Sequence, residues 1–265
     1  MFRLTRQVRF AIDDAPDATP SVAAPASANG FAGVPPPRGL DRFYSLDVSL
    51  IGELGDATGY ITDIKAIDSA VRRLALPLVA AAVRQRQGPA SLIGDLFQVL
   101  STAWSPARLG ALRLSISPFQ HVRAIANEVP MVRFSQQFEF AASHRLHNPQ
   151  LSDEQNRSLF GKCNNPHGHG HNYVLEVTLA GQPDESGRLI DVAELQQLVN
   201  RTIIDRFDHR YLNVELPEFR ERIPSVENIA MVAFGMLKPA LSRPRAHLAA
   251  VTVWETPKTW CEYSE

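Results

Sequence analysis

Apolar and polar residues alternate along Phe2 to Ile12, the period of a strand that packs one face. The same alternation returns from Tyr44 to Gly52, from Leu112 to Ile116, from Val132 to Ala142, from Tyr173 to Leu179 and from Val251 to Glu255. Pro118 and Pro257 close the third and the last of these runs. Helical spacing appears elsewhere. Asp63 is placed as an N-cap before Ile64, Ile67, Val71 and Leu74, and a second helix is predicted to start near Ser91. In the second half, Asp191 with Glu194 forms a capping-box pattern before Val192, Leu195, Val199 and Ile203. Ser225 precedes Ile229, Val232, Ala233 and Met236 in the same way. From Asp13 to Arg38 the periodicity stops and Ala, Pro, Ser and Gly take over, including Pro35-Pro36-Pro37; this predicts a flexible loop.

The elements recur in one order. Tyr173–Gly181 answers Tyr44–Gly52, Gly187–Asp191 answers Gly59–Asp63, and the closing strands before Pro118 and Pro257 correspond. The pattern predicts an α+β protein of two tandem lobes, 1–127 and 128–265, with antiparallel sheets carrying helices on one face. The copies differ in chemistry. Where the second has His144, the first has Asp13 or Asp14; where the second has Cys163 to His171, the first has Pro-Pro-Pro-Arg-Gly-Leu-Asp-Arg. The first lobe therefore reads as structural.

Composition narrows the function classes. The 265 residues are 45% hydrophobic and 21% charged, with a formal net charge of −1, so no nucleic-acid-binding surface is implied globally. Two cysteines argue against a disulfide framework and predict a cytoplasmic protein. No apolar run approaches the roughly 20 residues of a membrane span, and the alternating N-terminus lacks the apolar core of a signal peptide.

The chemistry concentrates in Cys163-Asn164-Asn165-Pro166-His167-Gly168-His169-Gly170-His171-Asn172-Tyr173. In a strand His169 and His171 project side by side, and His144 continues the buried series of its own strand. Three histidines would form a metal site with one open position, the arrangement of a catalytic zinc. A lone His-x-His more often decorates a turn. Cys163 is an alternative fourth ligand, and His167 is in phase with His169 and His171, so periodicity alone does not choose between registers.

Ser143-His144-Arg145-Leu146, Phe160-Gly161-Lys162-Cys163-Asn164-Asn165-Pro166, His169-Gly170-His171-Asn172-Tyr173, Phe207 to Asn213, Ser225-Val226-Glu227-Asn228 and Trp254-Glu255-Thr256 together resemble 6-pyruvoyl-tetrahydropterin synthases. The resemblance covers residues 131–265; the first half is a degraded echo. It implies a tunnelling fold, β-β-α-α-β-β per lobe, closing into an oligomeric barrel. It implies a zinc-dependent lyase converting 7,8-dihydroneopterin triphosphate to 6-pyruvoyl-tetrahydropterin with loss of triphosphate. A 6-carboxy-tetrahydropterin synthase of queuosine synthesis, or a non-catalytic pterin- or zinc-binding assembly protein, are the alternatives. By resemblance His144, His169 and His171 hold zinc, Cys163 is the proton-abstracting base, and Asp208 and His209 form a relay. Glu255 grips the pterin, with Glu227 and Ser225 near the same pocket. Because one lobe would stand for one family subunit, three tandem chains would replace six identical ones, with a dimer as the other closure. Val226, where the family commonly has a hydroxyl residue, departs from the pattern.

Overall fold

The structure is a computed structural model and describes residues 1–12 and 29–265. Asp13, Asp14 and much of the expected loop lie outside the described residues. The chain forms two compact units: Met1–Phe134 with Ala180–Leu189, and Ser135–Leu179 with Ile190–Glu265.

The first unit contains β1 (Phe2–Ile12), β2 (Arg42–Gly52), α1 (Ile64–Ala70), α2 (Leu76–Gln85), α3 (Pro89–Leu100), β3 (Arg108–Ser117) and β4 (Gln120–Ile125). A π-helical turn, Val71–Ala75, joins α1 to α2. The strands lie in the order β1-β2-β3-β4, each pair antiparallel. Alternation puts Val8, Phe10, Leu46, Val48, Leu50, Leu112 and Leu114 into the core, where α1 packs on β1 and α3 on β3 and β4. β4 was not singled out by the alternation: it is short, and only Val122 and Ala124 of its six residues are buried.

Three polar features shape this unit. Asp68 is fully buried and accepts two hydrogen bonds from Arg6, at 3.0 Å from Nε and 2.8 Å from Nη2. A buried carboxylate needs such a partner. The described end of the expected flexible loop is tied down: Val34 donates to the Arg9 carbonyl and Ala11 to that of Pro35, both at 2.9 Å. The free edge of β1 leaves backbone groups that this segment satisfies, which composition does not reveal. At the start of α3, the amides of Ala90 and Ser91 donate to the carbonyl of Gly187, at 3.0 and 3.1 Å. Gly88 permits this approach, because a Cβ there would sit 2.3 Å from the Gly187 carbonyl carbon.

His121 on β4 carries a pH dependence. Burial, then the charges of Arg113 and Arg123, push its pKa down from 6.5 to about 4, and the Arg113 guanidinium lies 3.2 Å from its Nδ1. The unfolded chain binds this proton where the folded chain does not. Stability is therefore fully present above the unfolded pKa and is lost as pH falls from about 6.5 towards about 4. The expected loss is at most about 3 kcal/mol. Urea titrations at pH 7 and pH 4.5 should show a smaller drop in His121→Gln; equal drops would refute the assignment.

The second unit is built on β5 (Val132–His144), α4 (Asp153–Phe160), β6 (His169–Gly181), α5 (Val192–Val199), α6 (Asp205–Phe207), β7 (Arg210–Tyr211), α7 (Leu212–Glu215), α8 (Val226–Leu241), β8 (Ala246–Thr256) and β9 (Thr259–Tyr263). The strand order is β5-β6-β8-β9, with β7 added in parallel to the end of β5. Ser135 hydrogen-bonds Thr178 at 2.8 Å and Gln137 bonds Glu176 at 3.1 Å. The partners move in opposite directions, so β5 and β6 are antiparallel, and the same register places His144 across from His169. Phe140 stacks on Tyr173 with ring centroids 5.0 Å apart, edge-on to Phe207. Ile229, Ala233 and Leu237 of α8 are buried in the same core, and α8 packs on β8.

A second π turn, Asn200–Ile204, joins α5 to α6. The capping box expected at Asp191 is only half formed. Asp191 accepts from Ala193 and Glu194, but the Glu194 carboxylate leaves the helix end for the guanidinium of Arg243. A charged fork on a neighbouring segment is a stronger partner than one backbone amide. The complete capping box is at α4, between Ser152 and Gln155.

Candidate functional site

Two strands supply the centre of the second unit. The alternation of β5 delivers His144 to its buried face, where it is fully shielded from solvent. His169 and His171 open β6. Gly168, at φ 73°, turns the chain into the strand while lying against the His144 carbonyl and the Tyr211 ring. One ring nitrogen from each of His144, His169 and His171 lies within 4.8 Å of the others. His167 stays exposed on the preceding turn, its amide donating to Asn165.

The proton positions favour ligation. His144 Nδ1 donates to the Pro224 carbonyl at 2.6 Å, and the Tyr173 hydroxyl lies 3.3 Å from the same nitrogen. That bond leaves Nε2 as the lone-pair end. It faces His169 Nε2 at 3.1 Å. Burial lowers the pKa of His144 and of His171, which keeps both rings neutral. His171 Nε2 and His169 Nδ1 are buried without a hydrogen-bond partner. Three imidazoles converging on one point, with a buried nitrogen left unpaired, fit a divalent metal ion.

Glu255 reaches this cluster from β8. Its Oε1 lies 3.3 Å from His144 Nε2 and 3.5 Å from His171 Nε2. The longer contact is not a hydrogen bond. Half-buried Glu255 also lines a cavity of about 500 Å³ with Gln137, Asn172, Val174 and Trp254. Burial raises the Tyr173 pKa, with the charges of Glu255 and Cys163 adding to the effect.

Cys163 sits half-buried on a 3₁₀ turn, Gly161–Asn164, after α4. Its carbonyl accepts from Leu146, and the thiol is outside the three-histidine group. Asp208 and His209 are clamped to β5. Asp208 Oδ1 accepts from Ala141 N at 2.8 Å, and His209 N donates to Ala141 O at 2.6 Å. Asp208 Oδ2 then accepts from His209 Nδ1 at 2.8 Å. Hydrogen bonds from Ala141 and His209 hold the Asp208 carboxyl below its ordinary range. His209 adopts a left-handed φ of 57°, and its largely exposed ring lines a cavity of about 520 Å³ with Gly170, His171 and Tyr211. Ser225 caps α8, accepting from Asn228. Glu227 is exposed in the first turn of that helix and raises the pKa of Cys261 after burial does; it lines neither cavity described above.

Several supporting groups escaped the sequence reading. The Pro224 carbonyl that orients His144 has no side-chain signature. Arg145 is held through its backbone by Asn213 and through its guanidinium by Asn164. Those asparagines fall inside the motifs quoted above, and only their motif membership hinted at them.

A sequence model described as 6-pyruvoyl tetrahydropterin synthase matches residues 133–265. A Caenorhabditis elegans protein named "Putative 6-pyruvoyl tetrahydrobiopterin synthase" is 41% identical over 136 residues, 51% of this chain and 96% of its own length. The Homo sapiens 6-pyruvoyl tetrahydrobiopterin synthase is 41% identical over 123 residues, 46% of this chain and 83% of its own. A Haemophilus influenzae protein named 6-carboxy-5,6,7,8-tetrahydropterin synthase is 28% identical over 156 residues, 51% of this chain and all of its own length. Among the described residues no helix is long and apolar enough to cross a membrane.

Proposed function

Since this chain belongs to the 6-pyruvoyl tetrahydropterin synthase family, a family of lyases, we propose that it converts 7,8-dihydroneopterin triphosphate to 6-pyruvoyl-tetrahydropterin with release of triphosphate. The convergence of His144, His169 and His171 beside the Asp208–His209 pair carries this reading. The three histidines would hold zinc, which when bound supplies Lewis-acid polarisation of the substrate's side-chain oxygens.

The chain's own groups do the rest. Cys163, as a thiolate, takes a proton from a side-chain carbon. Asp208 holds the Nδ1 proton of His209, so Nε2 is the end that accepts and returns protons at the cavity wall. Glu255 accepts hydrogen bonds from the pterin amino group and ring N–H. A ring held in the cavity around Glu255 and Trp254 places its reacting side chain next to the histidines, because the same carboxylate touches both. Glu255→Gln is expected to weaken pterin binding about tenfold with little effect on folding; an unchanged affinity in a ligand titration refutes that role.

The activity is tested by incubating the protein with zinc and dihydroneopterin triphosphate and identifying the product by mass. A 6-pyruvoyl product supports the reading, and unconsumed substrate defeats it. A 6-carboxy product would favour the second reading, which the Haemophilus influenzae relative supports.

We further propose that 1–127 and 128–265 are tandem copies of the family unit, the first structural, three chains standing for six single subunits. Both units run strand, strand, helix, π turn and helix before a further helix and a closing pair of strands. The segments α4, β7 and α7 are the second unit's additions and lie around the site. Among the described residues only the second unit gathers three candidate ligands. Solution mass and metal content decide: a trimer with one metal per chain is expected, and a monomer or two metals per chain contradicts the proposal.

A further inference from the structure

The groups so far assigned account for proton movement and ring binding, not for the leaving group. A separate cavity of about 910 Å³ in the second unit is lined by Arg145, His147, Arg220, Arg222 and Tyr211, with Glu221 as its only carboxylate. Tyr211 also lines the cavity that holds His171 and His209, so the two adjoin. Arg145 directly follows His144, and Pro166 on the same wall lies just ahead of His169.

The charge of this cavity is unusual for the chain. Three guanidiniums meet one carboxylate in a protein whose formal net charge is −1. The guanidiniums of Arg220 and Arg222 form no ion pair or side-chain hydrogen bond with any described residue, and both are exposed to the cavity mouth. Arg145 is fixed in advance: Nε and Nη2 donate to Asn164 Oδ1 at 3.0 and 2.7 Å, which leaves Nη1 outside those bonds. His147 Nδ1 is buried without a partner. Uncompensated arginine forks beside a reaction centre suit the geometry and charge of phosphate oxygens.

We propose that this cavity binds the triphosphate of the substrate, with Arg220 and Arg222 as specificity-determining residues and Arg145 as the pre-set contact nearest the histidines. The inference rests on the lyase reading above and extends it to the leaving group. Held there, the triphosphate departs as an anion already paired with the guanidiniums, and the pterin end is left to Glu255.

The test uses the full chain, with inorganic tripolyphosphate as the probe. In Arg220→Gln/Arg222→Gln its Kd should weaken about tenfold or more, as should the KM for dihydroneopterin triphosphate. Affinity for neopterin, which has no phosphate, should not change. Turnover with a KM and a tripolyphosphate Kd indifferent to these arginines overturns the inference and leaves the lyase reading standing. Arginine-dependent tripolyphosphate binding in a protein that consumes no substrate would sink the lyase reading, and still support a polyphosphate site. Failure of the wild-type chain to bind tripolyphosphate at low salt also overturns the inference.

Discussion

His144→Ala is expected to weaken metal binding at least about a hundredfold and to abolish turnover. His144 has no exposure to solvent, and its tautomer is set by the Pro224 carbonyl 2.6 Å away. Its Nε2 is therefore committed to the point where His169 and His171 converge. Removing it leaves two ligands on one strand, too few to hold a divalent ion firmly. Metal per chain, measured after dialysis, is the direct readout. Circular dichroism separates ligand loss from unfolding, since a buried ring is also being deleted. The half-buried His169→Ala should behave alike with a smaller folding penalty. A His144→Ala protein that is folded and retains its full metal complement would remove the basis of the site.

The second large effect is expected at Cys163. Cys163→Ala should cut turnover by a factor of about 10² to 10⁴ and leave the metal in place. The thiol lies on its own 3₁₀ turn outside the histidine group, so a metal held by those three rings would not depend on it. A charge on Cys163 would oppose ionisation of the Tyr173 hydroxyl, which lies 3.3 Å from His144 Nδ1. That neighbourhood is where a base for a side-chain proton belongs. Loss of metal from the variant would make Cys163 a ligand, and full activity would make it a bystander.

What could be read from the chain was what depends on short spacing. Alternation in Val132 to His144 is a local property, and it carried His144 to the buried face before any partner was known. The His169-Gly170-His171 spacing fixed a common side in the same manner. Asp63, Asp191 and Ser225 cap their helices by accepting from backbone amides two or three residues away. The misses are of another kind. Glu194 abandons its own helix end because Arg243, far along the chain, offers a better partner. The segment after Asn29 looks featureless in composition, yet it serves the edge of β1. Pro224 acts only through its carbonyl. Such choices are made by groups brought together in three dimensions, and no window on the sequence contains both partners.

The hydrogen bonds from Ala90 and Ser91 to Gly187 limit how the chain can be divided. Gly187 lies in the stretch Ala180–Leu189, which belongs to the first unit although its flanks belong to the second, so the polypeptide crosses the boundary three times. No single scission yields two self-contained pieces. A fragment starting at residue 128 would bring the Gly187 carbonyl without the helix end that binds it. Expressed as separate halves, the chain would have to re-form these two bonds between molecules. Continuity of the chain is thus tied to main-chain atoms, which side-chain drift cannot erase.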